Sequence, residues 1–162
     1  MDRSTRNILV GIILILVALG AYFFFHAKSS NQGTGESAAR ATVETFGEQM
    51  QKVSLLAPDA SSTMATVYGA YVTPGLLASW ESAPQSAPGR HTSSPWPDHI
   101  QVTTISQQGA SYVVNGAVVL MTSTGLAGVV PVVLQVVPQN GTWLIAAYQE
   151  QSVPATTTPS QS

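Results

Sequence analysis

The hydrophobic pattern changes period three times along the chain, and each change predicts a different element. From Ile8 to Phe25 the run is apolar on every side, with no charge and nothing more polar than Tyr22 and two glycines. As a helix it rises about 27 Å, close to the hydrocarbon core of a bilayer, about 30 Å. A core helix of a soluble domain keeps a polar face, and this run has none. Residues 8–27 are therefore expected to be a transmembrane anchor, preceded by a stub at 1–7. Residues 28–37, around "SSNQGTGES", read as a flexible stalk of the glycine/serine type.

From Ser37 the period becomes helical. Ala39, Val43, Phe46, Met50, Val53 and Ala57 recur at steps of three and four, one stripe aimed at a core, with Pro58 as the stop. Asp59 is placed to cap a second helix carrying Met64, Val67, Tyr68 and Tyr71. Thr73 and Pro74 are an N-cap and first-turn pair for a short third helix that ends near Glu81. Residues 82–98 hold four prolines and read as a loop.

Beyond the loop the period is two. "HIQVTTI" alternates, and "SYVVNGAVVLMT" (111–122) and "GVVPVVLQVV" (128–137) are long β-branched runs. Asn140-Gly141 is a hairpin turn leading into "WLIAAYQE" (143–150). Pro131, inside a run, argues for an edge position or a bulge. The predicted class is α+β: two or three helices packed on a curved, cone-like, four-stranded antiparallel sheet over 38–150. Residues 151–162 carry no apolar periodicity and read as a disordered tail.

Charge then fixes orientation and removes several functions. Arg3 and Arg6 flank the span on one side and Lys28 on the other, which puts the N-terminus in the cytoplasm and the domain outside. The bulky "AYFFFH" end suits a retained anchor better than a cleaved signal peptide. Only 9% of residues are charged and the net charge is −2, so nucleic acid is not an expected partner. With no cysteine, thiol catalysis, disulfides and thiolate metal sites are excluded.

The order of elements, with "VTPGLLASW" and "GTWLI", resembles the cone-shaped fold of nuclear-transport-factor-like and ketosteroid-isomerase-like domains. Membrane-anchored versions of that fold look like the inner-membrane scaffold subunits of bacterial conjugation and type IV secretion machines. The resemblance implies a bacterial single-pass protein of the cytoplasmic membrane whose outer domain assembles with other proteins or with itself.

The densest chemistry is "SSPWPDHI" (93–100). Adjacent strand residues point to opposite faces, so Asp98 and His99 are not expected to converge on a substrate. His91 and His99 lack a third ligand at a metal spacing. The stretch reads as a joint: Pro95 and Pro97 stiffen it, Trp96 plugs the end of the core, and Asp98 caps a turn. Glu44 and Glu48, four apart, read as a solvated helix face. No Ser-His-Asp set, phosphate loop or His-Glu-x-x-His motif is present. No catalytic residue, cofactor or metal ligand is assigned. Tyr68, Tyr71, Trp80 and Trp96 are the candidate pocket-lining residues, with core filling as their alternative.

Two functions remain: a non-enzymatic, membrane-anchored assembly or scaffold module of a cell-envelope machine, and a tethered small-ligand-binding or isomerase-like cone. A deep cavity holding a buried carboxylate favours the second. A filled core with an exposed apolar patch favours the first.

Overall fold

The computed structural model describes residues 34–151, and the expected anchor, its stub and most of the stalk lie outside them, as do residues 152–162. Among the described residues no helix is long and apolar enough to cross a membrane. Three helices precede a four-stranded antiparallel sheet: α1, described over 34–49, α2 (Ala60–Tyr68), α3 (Pro74–Ser82), β1 (Trp96–Gln108), β2 (Ser111–Thr122), β3 (Gly125–Gln139) and β4 (Thr142–Glu150). The strands follow chain order across the sheet, a meander.

The predicted stripe of α1 is the buried one. Ala39, Val43, Phe46, Met50 and Val53 are all inside. Residues 34–37, expected to belong to the stalk, are already helical. The helix also stops earlier than Pro58, tightening into a 3-10 turn at Met50–Lys52 before Val53 becomes extended. Backbone pairing draws the chain out: Arg90 N donates to Val53 O at 2.8 Å, and Leu55 N donates to Arg90 O at 3.0 Å. A further helical turn would forfeit both bonds.

Helix α3 starts where expected and ends at Ser82, close to Glu81, whereas α2 stops at Tyr68, so Tyr71, expected on that helix, lies in the turn beyond it. Asp59 is the N-cap residue of α2, but its side chain makes no capping bond to the backbone. Thr73 caps α3 with its hydroxyl accepting from Leu76 N, and Pro74 opens the first turn. The link between them lies along β4, with Thr73 N donating to Ile145 O and Ile145 N to Tyr71 O. That pairing occupies part of the β4 edge.

The sheet divides its residues by parity. Ile100, Tyr112, Val114, Val118, Val132, Leu134, Val136 and Ile145 face the helices and form one core with the α1 stripe, Met64, Tyr68 and Trp80. Asn140 and Gly141 both have positive φ, 52° and 80°, the left-handed pair a two-residue hairpin needs. Pro131 stands in an interior strand, opposite Ala117 of β2, rather than at a sheet edge. The missing N–H costs nothing because β4 runs out at this level. Its last ladder pair is Val132 with Glu150, and Pro131 O accepts from Gln151 N at 2.8 Å. The N side of Pro131 therefore faces the point where β4 ends, which makes β3 locally an edge.

Helix α1 meets the sheet at a glycine. A Cβ on Gly47 would stand 2.4 Å from the backbone nitrogen of Ile100, and one on Gly116 of β2 would stand 2.7 Å from Gln101 O. Ile100 is thus set between a helix glycine and a strand glycine. Gly47 costs about 1 kcal/mol of helix propensity relative to alanine, and the close approach it allows is the return.

Candidate functional site

Two places collect the residues that the sequence marks for chemistry: the aromatic centre under α2 and α3, and the beginning of β1.

At the centre, four rings pack on one another. The Phe46 centroid lies 5.0 Å from Tyr68, 6.1 Å from Trp80 and 6.3 Å from Tyr148. Tyr68 and Tyr148 meet Trp80 edge-on at 5.9 and 6.2 Å. Rings at these distances and tilts are in contact, each pair adding about 0.5–1.5 kcal/mol beyond the area it buries. Tyr68 OH donates to the Pro88 carbonyl at 2.7 Å, so its buried hydroxyl is satisfied. Burial pushes the Tyr68 phenol well above its ordinary pKa. Tyr148 is raised too, first by burial and then by the Glu150 carboxylate that its hydroxyl bonds at 2.9 Å. Both rings are neutral donors.

Of the four residues named as pocket-lining, the structure brings Tyr68 and Trp80 together inside this cluster and places Tyr71 half-buried at its margin. Trp96 is elsewhere. It opens β1 half-exposed, opposite Met121, while the neighbouring Pro97 is buried opposite Leu120. The expected core plug is therefore Pro97, because strand alternation lets only one of two neighbours face inward. Among the described residues no carboxylate is buried.

The beginning of β1 corrects a second expectation. His99 Nδ1 lies 2.8 Å from Asp98 Oδ2. Strict alternation separates such neighbours, but the ladder with β2 skips a residue between Pro97 and His99, and a bulge there turns Asp98 toward the ring. The Ser94–Pro95 peptide just before it is cis. Both members of the pair are 40–45% exposed, so water screens them and the contact stabilises by about 0–1 kcal/mol.

Beside this pair runs a groove of about 330 Å³ along β1, lined by Glu44, Glu48, His99, Ile100, Gln101 and Val102. Glu44 shares its charge with Arg40 at 3.5 Å. Nothing in the sequence pairs α1 carboxylates with His99. Only the approach of α1 to Ile100 through Gly47 brings them to one groove. A carboxylate-oriented imidazole can exchange a proton, but general catalysis also needs a substrate-binding cavity, and this groove is shallow and largely open. Among the described residues no cluster of three or more His, Cys, Asp or Glu is arranged to hold a metal ion.

Comparison with known proteins finds no family profile, no curated protein and no solved structure that matches this chain.

Proposed function

We propose that this protein is a membrane-anchored, extracytoplasmic, non-enzymatic assembly module of a bacterial cell-envelope machine. Residues 8–27 hold it in the cytoplasmic membrane, and the domain from residue 38 onward makes the protein contacts. The observation that carries the reading is the filled centre. Where a ligand-binding cone needs a cavity with a converging carboxylate, Phe46, Tyr68, Trp80 and Tyr148 stand in ring-to-ring contact. A tethered ligand-binding or isomerase-like cone would need that cluster to part.

Two measurements on intact cells and their membranes test the proposal. A membrane-impermeant maleimide is expected to label Ser62→Cys on the exposed side of α2 from outside, and not Ser4→Cys. The native chain has no cysteine to interfere. Blue-native electrophoresis of mildly solubilised membranes is then expected to show the chain in a complex larger than a micelle-bound 17.0 kDa monomer. Labelling at Ser4→Cys from outside overturns the topology, and a monomer at every detergent level overturns the assembly role.

A further inference from the structure

From Ile100 to Gln149 the chain contains no Asp, Glu, Lys, Arg or His, and that interval is nearly the whole sheet. The inward face of a sheet is expected to lack charge. The outward face is not, because an antiparallel sheet that meets water on one side carries its polar and charged residues there. Here the outward middle is Val113, Asn115, Ala117 and Val119 of β2, opposite Gln135, Val133, Pro131 and Val129 of β3, with Val119 itself covered to 8% exposure by its neighbours. Val129 is 51% exposed and Leu126, at the end of the same hairpin, 67%. Around this middle stand Gln101, Thr104 and Gln149, amide and hydroxyl groups, and its one ionisable neighbour on β1 is His99, opposite Val119 and bonded to Asp98. The described helices bury their apolar residues against the opposite face.

We propose that this outward sheet face is a two-fold interface between copies of the chain. The inference rests on the assembly reading above and names its partner. Three properties select a second copy. First, a two-fold interface sets a patch against itself, so any charge near the axis meets its own like charge; the centre of this face, around Ala117, Gln101 and Pro131, has none to repel, and His99 stands at its β1 margin. Second, glutamine, threonine and asparagine each carry both a donor and an acceptor, so each pairs with its own copy, which a lysine or a glutamate cannot do. Third, the area is sufficient. Four strands span about 19 Å and the shared ladder about 35 Å, or about 650 Å² a copy and about 1,300 Å² a pair, within the range of specific interfaces. A bilayer surface is a poorer occupant, because anionic headgroups call for lysine or arginine and the face offers neither. Two such faces pack as aligned sheets about 10 Å apart, the valines interdigitating.

The test uses the full chain in its native membrane. Ala117→Cys sits at the middle of the β2–β3 ladder, and Ser62→Cys on α2 serves as the control. Mild oxidation is expected to give a disulfide-linked species of twice the monomer mass from Ala117→Cys, and none from Ser62→Cys. Equal dimer from both positions is random collision and overturns the proposal. So does no adduct from Ala117→Cys when the complex seen on native gels persists, because the assembly reading then stands with a different surface. An Ala117→Cys adduct with a protein of another mass leaves the assembly reading intact and also overturns self-pairing. A monomer on native gels together with no adduct brings down both.

A charge swap removes the concern that a variant simply misfolds. Ala117→Lys alone and Ala117→Glu alone are each expected to lose about tenfold or more in self-association by like-charge apposition. Tagged Ala117→Lys and Ala117→Glu chains produced together are expected to recover the dimer as a mixed pair. Recovery shows that both variants fold. Two variants that remain fully dimeric alone overturn the proposal.

Discussion

Replacing Gly47 by alanine sets a local rule against a tertiary one. Helix propensity alone makes the change favourable by about 1 kcal/mol, since glycine in a helix interior is the poorer residue. The packing predicts the opposite sign. The new methyl carbon would stand 2.4 Å from Ile100 N, 2.9 Å from its Cγ1 and 3.0 Å from its Cβ. The first of these is backbone of a strand paired to β2, so it cannot swing aside as a side-chain tip does. Relief requires α1 to move away from β1 by about 1 Å, and overpacking of this kind costs about 1–3 kcal/mol, more where backbone must shift. The net expectation is a loss of about 1–2 kcal/mol, or about 4 °C in Tm per kcal/mol at this domain size. Gly75, in the first turn of α3, has open space around its absent Cβ. Gly75→Ala is therefore expected to stabilise by up to about 1 kcal/mol. Urea titrations of residues 34–162 followed by circular dichroism read both changes. A Gly47→Ala domain as stable as the parent, or more so, refutes the close approach of α1 to β1.

The other expectations concern the aromatic centre, the joint and pH. Trp80→Ala should destabilise by about 3–5 kcal/mol because its ring is buried among three others, whereas Trp96→Ala, half-exposed at the start of β1, should cost no more than about 1–2. Equal losses in paired melts would return Trp96 to the core. Asp98→Asn and His99→Ala should leave self-association within a few-fold, as cross-linking at Ala117→Cys can report. Tyr68 and Tyr148 are raised above the unfolded phenol value of about 10, so the stability they lend is whole below that pH and is lost as pH rises above it. Absorbance titration should show neither ring ionising before the fold opens, and reversible native ionisation near pH 10 would contradict their burial. At the acid end, among the described residues no charged side chain is buried, and the ion pairs are Arg40–Glu44 and Asp98–His99. The other carboxylate bonds among them are Tyr148 donating to Glu150 and Thr63 to Asp59, and all of these lie near the surface. Few native interactions are therefore lost when carboxylates protonate, and a cooperative melt should persist at about pH 3. Its disappearance there would show that a few carboxylates outweigh the sparse charge.

The elements were legible wherever local chemistry and tertiary packing agree. The α1 stripe, the Thr73–Pro74 helix start and the Asn140-Gly141 turn each follow from residues a few positions apart. What escaped depends on partners distant in sequence. The early end of α1 is set by Arg90, the Asp98–His99 contact by a bulge against β2, and the inward choice of Pro97 over Trp96 by its register with Leu120. The tolerance for Pro131 depends on where β4 ends. At the candidate site, Tyr68 and Trp80 carry a spacing equally suited to lining a pocket and to filling a core. Only Phe46 from α1 and Tyr148 from β4, closing on them from distant parts of the chain, decide for filling. The uncharged sheet is different: it was present in the sequence from Ile100 to Gln149, and its meaning appeared only when the strands showed which half of it faces outward.

Native mass spectrometry of the full chain, released from detergent micelles at low collision energy, places assembly and ligand binding on one axis. An assembly module with a filled core should leave the micelle as a dimer, at twice the 17.0 kDa chain mass, with no retained small molecule. A monomer carrying a bound apolar compound, lost only on activation, would contradict both the packed aromatic centre and the two-fold sheet interface.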